Sequence, residues 1–268
     1  MFPLKDNIPL ARFPIVTVLL VAINVVAYLL EIRHGGSFFG GPTDGVAVHY
    51  GAIPYELTHA GRHCELVGVQ SPEGLISTVA CQGQPGVTGT PAGAQPATWE
   101  TVFTSMFLHG SFLHIFGNML FLAIFGPTVE DRLGRVRFPA FYLLGGLVAL
   151  ASQVLADPNS AGPTLGASGA IAAVLGGYIL LYPRARILSL VLIVFFVTII
   201  EVPAFFLLGF WFLEQMYLGL AGLAGAGGLG SSGEGVAYFA HIGGFAFGLL
   251  AIRMFARRRA PEPTWPAY

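Results

Sequence analysis

Long apolar runs without charged residues dominate this sequence and predict helices that cross a membrane. A helix needs about 20 predominantly apolar residues to span the roughly 30 Å of hydrocarbon in a bilayer. Runs that approach or exceed this length recur along the chain, so we expect six spans. They are Pro14–Leu30, Thr101–Val129, Phe138–Ala156, Leu165–Tyr182, Val202–Leu213 with its apolar flanks, and Gly235–Ile252.

The stretch between residues 187 and 219 is ambiguous, because it is 33 residues long and contains Glu201 and Pro203. Two spans of about 14 residues each would be too short to cross the bilayer. We therefore predict a single span from Val202 to about Gly219, preceded by an apolar segment at the membrane interface.

Composition and charge support a membrane protein and set its orientation. Hydrophobic residues make up 54% of the chain and charged residues only 10%, against roughly 25% charged residues in a typical soluble domain. With six spans and the amino terminus inside, 11 of the 13 basic residues fall on the inner side, as the positive-inside rule requires. We therefore expect a multi-pass protein of the cell membrane with both termini in the cytoplasm. Its predicted parts are a cytosolic N-terminus (1–13), a membrane domain (14–256) and a cytosolic tail (257–268).

A long loop of about residues 33–98 follows the first span and lies outside on this topology. It holds the only two cysteines, Cys64 and Cys81, which predict a disulfide in an oxidising compartment. Free thiols, or a zinc site formed with His59 and His63, are the alternatives, although no standard second ligand pair accompanies them. A later outer loop, Gly219–Gly233, contains seven glycines and is either a slack connector or a lid.

Two polar side chains, Ser168 and His241, lie within apolar runs. The bilayer tolerates such groups only where they face protein or a wet cavity. The fourth and sixth spans run in the same direction, and these side chains lie near the outer end of each, so they share one depth. Taken singly, Ser168 also suits a helix N-cap, and His241 suits a packed histidine bonded to a carbonyl. Together they predict a nucleophile and its general base and acid.

His114 and Asn118 are four residues apart, which places both on one face of the second span at the same depth. With the backbone N–H of Ser168 at a helix N-terminus, they form a candidate oxyanion hole. A polar clamp between helices is the alternative. His109 is expected nearer the water boundary, in a solvated or structural position. No carboxylate is placed to orient His241, so we predict a dyad rather than a triad.

Small residues accompany both candidate catalytic groups. Gly166 and Gly169 flank Ser168, and Gly244 and Gly248 form a small-xxx-small pair just after the candidate base. Such pairs let membrane helices approach each other closely, and a hydrogen bond from serine to imidazole needs a separation of about 3 Å. We therefore predict that these glycines pack the fourth helix against the sixth.

These motifs resemble the rhomboid family of intramembrane serine proteases, in its bacterial six-helix form, over residues Pro14 to Arg259. The resemblance implies an all-α membrane protein, a six-transmembrane-helix bundle with a short central fourth helix. It also implies cleavage of single-span membrane proteins near the membrane surface by a Ser–His dyad without a cofactor, the fifth helix and its outer loop acting as gate and cap. The matching motifs are His114-x-x-x-Asn118, Gly166-x-Ser168-Gly169, and Ala240-His241 with Gly244 and Gly248.

Two positions depart from the family pattern. Ala172, one turn after Ser168, stands where some members carry an aromatic residue that stacks on the base. We therefore expect His241 to be oriented by other packing. Trp99-Glu100 stands where many members have Trp-Arg, and the first loop is unusually long.

The function expected from these residues is intramembrane serine endopeptidase activity on transmembrane protein substrates. Membrane lipids are the other expected partners, and no nucleic acid, cofactor or metal is implied. The active site is expected to open to the extracytoplasmic side. A rhomboid-like pseudoenzyme that binds transmembrane helices without cleaving them is the alternative, and the presence of both Ser168 and His241 speaks against it. A small-solute transporter would need polar groups in the inner halves of the spans, where the second and sixth offer almost none.

Overall fold

The computed structural model describes residues 2–71, 74–84, 95–193, 196–223 and 236–256. Within them the chain is mostly helical, with nine α-helices and seven strands. The helices are α1 (Ile15–Arg33), α2 (Asp44–Tyr50), α3 (Pro54–Thr58), α4 (Thr98–Thr104), α5 (Phe112–Leu133), α6 (Arg137–Ala156), α7 (Ser168–Leu181), α8 (Ala204–Leu223) and α9 (Tyr238–Phe255). The strands are β1 (Phe2–Asp6), β2 (Gly36–Ser37), β3 (Gly41–Pro42), β4 (Cys64–Ser71), β5 (Gly74–Cys81), β6 (Arg186–Ile193) and β7 (Phe196–Pro203).

Five helices in the described part of the chain, α1, α5, α6, α8 and α9, are long and apolar enough to cross a membrane. They fall on five of the six predicted spans. The helix on the remaining predicted span, α7, is apolar but has only 14 residues. At 1.5 Å per residue it is about 21 Å long, which is less than the hydrocarbon thickness. The protein is therefore a multi-pass membrane protein with five candidate spans and one shorter apolar helix.

The predicted second span is interrupted before its transmembrane part begins. Residues 98–107 form α4 and a single 3₁₀ turn, and α5 starts only at Phe112. The 3₁₀ turn ends at Phe107, followed by the extended residue Leu108. Ser111 is the N-cap of α5, and its Oγ accepts a hydrogen bond from the His114 N–H at 3.2 Å. The predicted start of this helix at Thr101 is therefore wrong. The span was predicted from a run without charged residues, and an uncharged serine that caps a helix does not interrupt such a run.

The expectation of an all-helical protein is wrong for two segments. The apolar segment before Val202, which was expected at the interface, lies in the antiparallel hairpin β6–β7 together with Val202 and Pro203 of the expected span. Strand β1 pairs with β6 to give the sheet order β1-β6-β7. Runs of Ile, Val and Phe favour this extended backbone. Pro203 ends β7, and the single helix α8 follows it. The second segment is the hairpin β4–β5 in the long first loop.

The long first loop folds into a small unit of its own, which we call the cap (residues 44–84). In the cap a disulfide joins Cys64 to Cys81, which face each other at the open end of the β4–β5 hairpin. This pairing agrees with the predicted disulfide and consumes the two thiols that a zinc site would need. The cap has its own apolar core, made of Val48, Ile53, Tyr55 and the two cysteines.

The cap is joined to the segment that leads into α7. Ala52 and Thr164 exchange two backbone hydrogen bonds of 3.1 and 2.8 Å, and the Tyr55 N–H donates to the Ser160 carbonyl at 3.0 Å. Within the cap, the Glu56 carboxylate accepts a 2.6 Å bond from the Cys64 N–H, and burial raises the pKa of Glu56. The cap thus braces the polypeptide just before Ser168.

The short helix α7 forms the centre of the bundle. Eleven of its 14 residues are buried, and α5, α6, α8 and α9 all contact it. Three glycines allow α7 and α9 to touch through their backbones: a methyl group added at Gly176, Gly244 or Gly248 would lie 2.0–2.2 Å from a carbonyl oxygen of the other helix. We call these three residues the glycine seam. Gly169 instead faces α6, where an added methyl would lie 2.5 Å from Ala149 Cβ.

Two segments with sequence predictions fall outside the described residues. The glycine-rich loop Gly219–Gly233 is described only as far as residue 223, and the predicted cytosolic tail lies beyond residue 256. The alternatives of connector and lid for that loop therefore stay open.

We predict that Gly248→Ala lowers the free energy of unfolding by about 1–3 kcal/mol, because the new methyl group must push α9 away from the α7 backbone. Denaturant or thermal unfolding in detergent micelles measures this change. Gly209→Ala on α8 is the matched control, since nothing lies within 4 Å of the added methyl. An equal effect of the two substitutions would contradict a tight glycine seam.

We also predict that both cysteines resist alkylation until a reductant is added, because they form the Cys64–Cys81 disulfide. The loop it closes spans 17 residues, so replacing both cysteines by serine should remove about 3 kcal/mol of stability from the cap. Mass spectrometry of the alkylated protein tests whether the cysteines are protected. Limited proteolysis of the double serine variant tests whether the cap is less stable. Alkylation of both thiols without reductant would refute the pairing.

Candidate active site

Ser168 is the first residue of α7, and the chain reaches it through a tight turn at Gly166. Gly166 has a φ of +117°, which L side chains rarely adopt, and its N–H donates to the Ser105 carbonyl at 2.8 Å. The backbone N–H groups in the first turn of a helix have no intrahelical partner. The turn therefore presents the Ser168 hydroxyl and its backbone N–H together at the positive end of the helix dipole.

His241 lies in the first turn of α9, and both of its ring nitrogens have partners. Nε2 is 2.8 Å from Ser168 Oγ, and Nδ1 is 2.7 Å from the side-chain oxygen of Gln215 on α8. Both His241 and Gln215 are buried. An amide oxygen only accepts hydrogen bonds, so Nδ1 carries the ring proton in this arrangement. The Nε2 lone pair is then free to accept the Ser168 hydroxyl proton.

Gln215 is the residue that the sequence analysis missed. Its side-chain oxygen lies beside His241 Nδ1, the position that a carboxylate occupies in a catalytic triad. Glu201 instead pairs with Arg186 at 3.0 Å on the β6–β7 hairpin. Gln215 could have been recognised in the sequence as a single amide among the apolar residues of the fifth span, one turn after Trp211.

Trp211 provides the aromatic neighbour that position 172 lacks. Its ring centroid lies 5.6 Å from that of His241, with a tilt of 39°. Trp211 and Gln215 are four residues apart, so one face of α8 supplies both contacts. His241 is thus held by α8, whereas α7 contributes the buried methyl group of Ala172 and the hydroxyl of Ser168.

His114 and Asn118 both lie on α5, and His114 lies beside the segment that leads into α7. An added methyl at Gly166 would lie 2.7 Å from His114 Nε2, so the imidazole contacts the backbone two residues before Ser168. Asn118 is buried, and within the described residues its Nδ2 group has no hydrogen-bond partner. An unpaired buried amide donor is costly, and an oxyanion formed at Ser168 would be a suitable acceptor.

His109 is fully buried, which agrees with the structural one of the two positions expected for it and excludes the solvated one. Its ring packs 5.1 Å from that of His114, and its backbone N–H donates to the Glu31 carboxylate at 3.1 Å. Burial, with a further contribution from His114, lowers the pKa of His109 to about 3. A neutral imidazole therefore packs against His114.

A small cavity of about 20 Å³ lies between the start of α7 and α6, next to Ser168. This volume is enough for about one water molecule. Its walls include the polar residues Ser105, Thr164 and Ser168 together with Gly146, Ala149 and Ala240.

Comparison with known proteins gives a consistent match. The chain matches the Rhomboid domain family model over residues 96–258, which is more than half of its length. It is 36% identical over 156 residues to Rhomboid protein 1, mitochondrial, from Saccharomyces cerevisiae, covering 56% of this chain and 40% of that protein. It is 31% identical over 93 residues to the Putative rhomboid protease YdcA of Bacillus subtilis, covering 35% of this chain and 46% of that protein.

A third relative is the Presenilin-associated rhomboid-like protein A, mitochondrial, of Danio rerio. It is 32% identical over 163 residues, which cover 59% of this chain and 39% of that protein. The chain thus spans less than half the length of each of these curated relatives.

We predict that Gly166→Ala slows the reaction of Ser168 with a fluorophosphonate probe by about tenfold or more. The added methyl group would meet His114 Nε2, and the left-handed backbone would be strained by about 1–3 kcal/mol. Gel fluorescence after timed labelling measures the rate. Gly162→Ala in the same segment is the control, because its methyl group would make only an ordinary contact with Ser160. Unchanged labelling of the Gly166 variant would show that this turn does not control the serine.

Proposed function

Because the chain belongs to the rhomboid family, we propose that it is an intramembrane serine endopeptidase that cleaves single-span membrane proteins in or near the bilayer. The observation that carries this proposal is the 2.8 Å contact between Ser168 Oγ and His241 Nε2 inside a bundle of membrane helices. Serine becomes nucleophilic when a neighbouring base can take its proton, and a neutral imidazole at this distance is such a base.

In the proposed reaction, Ser168 Oγ attacks the carbonyl carbon of the scissile peptide bond while its proton passes to His241 Nε2. The carbonyl oxygen becomes an oxyanion, which accepts hydrogen bonds from the Ser168 backbone N–H, Asn118 Nδ2 and the His114 ring. The C–N bond then breaks, and His241 gives its proton to the leaving amine. An acyl-enzyme on Ser168 remains.

Water completes the cycle. A water molecule attacks the acyl carbon, His241 accepts its proton, and collapse of the second tetrahedral intermediate returns the proton to Ser168 with release of the acid product. The cavity of about 20 Å³ beside Ser168 is a suitable place for this water, because its lining includes the polar residues Ser105 and Thr164. The proposed reaction uses no cofactor.

The proposed topology has six crossings, with α7 as the short central one. The amino terminus and the β1-β6-β7 sheet lie on the cytoplasmic side, and the cap lies outside. The excess of basic residues on the inner side supports this orientation. So does the Cys64–Cys81 disulfide, which requires an oxidising compartment. Because Ser168 is at the cap end of α7, the active site opens to the extracytoplasmic side.

We predict that the purified protein in liposomes cleaves a test substrate with one transmembrane helix, and that Ser168→Ala and His241→Asn each reduce kcat by at least about a thousandfold. Cleavage products are read on a gel and their ends are identified by mass spectrometry. Ser152→Ala on α6 is the matched control, because among the described residues its hydroxyl bonds to the Val148 carbonyl of its own helix and to neither Ser168 nor His241. It should cleave at the wild-type rate.

Other results would point elsewhere. Equal cleavage by the wild type and Ser168→Ala would identify a contaminating protease. If neither the wild type nor any variant cleaves several substrates, while the protein still binds their transmembrane helices, the results favour the hypothesis of a helix-binding pseudoenzyme.

A further inference from the structure

We propose that Gln215 is a positioning residue for the base: its side-chain oxygen accepts the Nδ1 proton of His241 and thereby holds the Nε2 lone pair towards Ser168. This inference rests on the proposed protease function. It assigns to α8 a part in the chemistry that neither the motifs nor the family match provide.

A buried histidine needs a hydrogen-bond partner for each of its ring nitrogens. A neutral imidazole has one donor and one acceptor nitrogen, and a buried donor without a partner costs about 1–3 kcal/mol. Nε2 faces Ser168 at 2.8 Å, so Nδ1 must find its acceptor elsewhere. Gln215 Oε1, at 2.7 Å, meets that need.

An amide beside His241 avoids the cost of a buried charge that a carboxylate would carry. A buried carboxylate within a membrane protein is expensive unless it is paired with a cation. A glutamine oxygen selects the same tautomer without that charge. When His241 takes the Ser168 proton it becomes a cation with two donors, and Gln215 Oε1 remains in place to accept one of them. The amide therefore serves both protonation states of the base.

Aromatic contacts hold α8 against α9 next to the hydrogen bond between Gln215 and His241. Trp211 contacts the rings of His241 and Phe245 at centroid distances of 5.6 and 6.1 Å, and Phe212 stacks on Phe245 at 4.5 Å. These contacts lie one turn before Gln215 along α8 and fix the rotation of the helix. Gln215 is 7% exposed, so its amide has little freedom to turn towards solvent.

On the α7 side, the residue one turn after Ser168 is small. One turn after Ser168, α7 presents Ala172, which is fully buried and packs its methyl group towards Gly244. It has no ring to place against His241. Because α7 presents only this methyl group, the contacts that orient the base come from the other side, where α8 supplies Trp211 and Gln215.

The test compares two substitutions of Gln215 that differ in the acceptor atom. Gln215→Leu keeps a side chain of similar bulk and loses the oxygen, whereas Gln215→Glu keeps an acceptor oxygen at the same reach. We expect Gln215→Leu to lower kcat by about 10- to 100-fold, with KM within about twofold of the wild type. We expect Gln215→Glu to recover kcat to within about fivefold of the wild type. Glu214→Gln, an exposed neighbour on α8, should change neither constant.

A spectroscopic measurement on the wild-type protein makes the test independent of how well the variants fold. In ¹⁵N-histidine-labelled protein, the His241 signals are assigned by their loss in His241→Asn. They should report a proton on Nδ1, and Gln215→Leu should shift the population towards the Nε2–H tautomer. An Nε2–H tautomer in the wild type would overturn the proposal whatever the variants do.

The kinetic outcomes separate this inference from the protease function itself. If the wild type cleaves, Ser168→Ala does not, and Gln215→Leu has the wild-type kcat, Gln215 is not a positioning residue and the protease function stands. A rise in KM at unchanged kcat would make Gln215 a substrate contact and also overturn the inference. Equal loss in Gln215→Leu and Gln215→Glu, at equal thermal stability, would reduce its role to packing. If the wild type does not cleave, the protease function fails first.

Discussion

The close approach of α7 and α9 is the constraint on which the rest of this structure depends. Gly176, Gly244 and Gly248 bring the two backbones so near that a single added methyl group would overlap a carbonyl oxygen. In a bilayer, apolar burial gives helices little reason to associate, so such shape matching carries much of the association. The 2.8 Å contact between Ser168 and His241 exists because their helices meet at this distance. Wider spacing would leave two polar groups unpaired at membrane depth.

The sequence anticipates the features that follow from helix periodicity and bilayer thickness. Five long apolar helices lie on predicted spans, and the matching depth of Ser168 and His241 is what would allow parallel helices to bring them together. It does not anticipate Gln215, because a single neutral amide in an apolar span is a weak signal and belongs to no recognised spacing. The β6–β7 hairpin was missed because its apolar residues suit an interfacial segment as well as a strand, and the choice depends on pairing with β1.

The cap is connected through backbone hydrogen bonds to the segment that leads to Ser168. Its two backbone bonds between Ala52 and Thr164 end four residues before Ser168, and the Gly166 N–H is tied in turn to Ser105. The segment that presents the serine is therefore fixed from two sides, by the cap and by the 3₁₀ turn ahead of α5. Such support is what a preorganised oxyanion site requires, since its donors have to be in place before charge develops.

The shortness of α7 has a consequence for how the protein is assembled. Fourteen residues, eleven of them enclosed by other helices, present almost no surface to lipid. A segment of this length is a poor candidate for independent insertion by the translocation machinery, because it cannot bridge the hydrocarbon on its own. Its stable place in the bilayer has to be created by α5, α6 and α9. The segment that begins with Ser168 therefore acquires its environment only after the last of these helices has been synthesised, and the polypeptide matures as a cooperative unit rather than span by span.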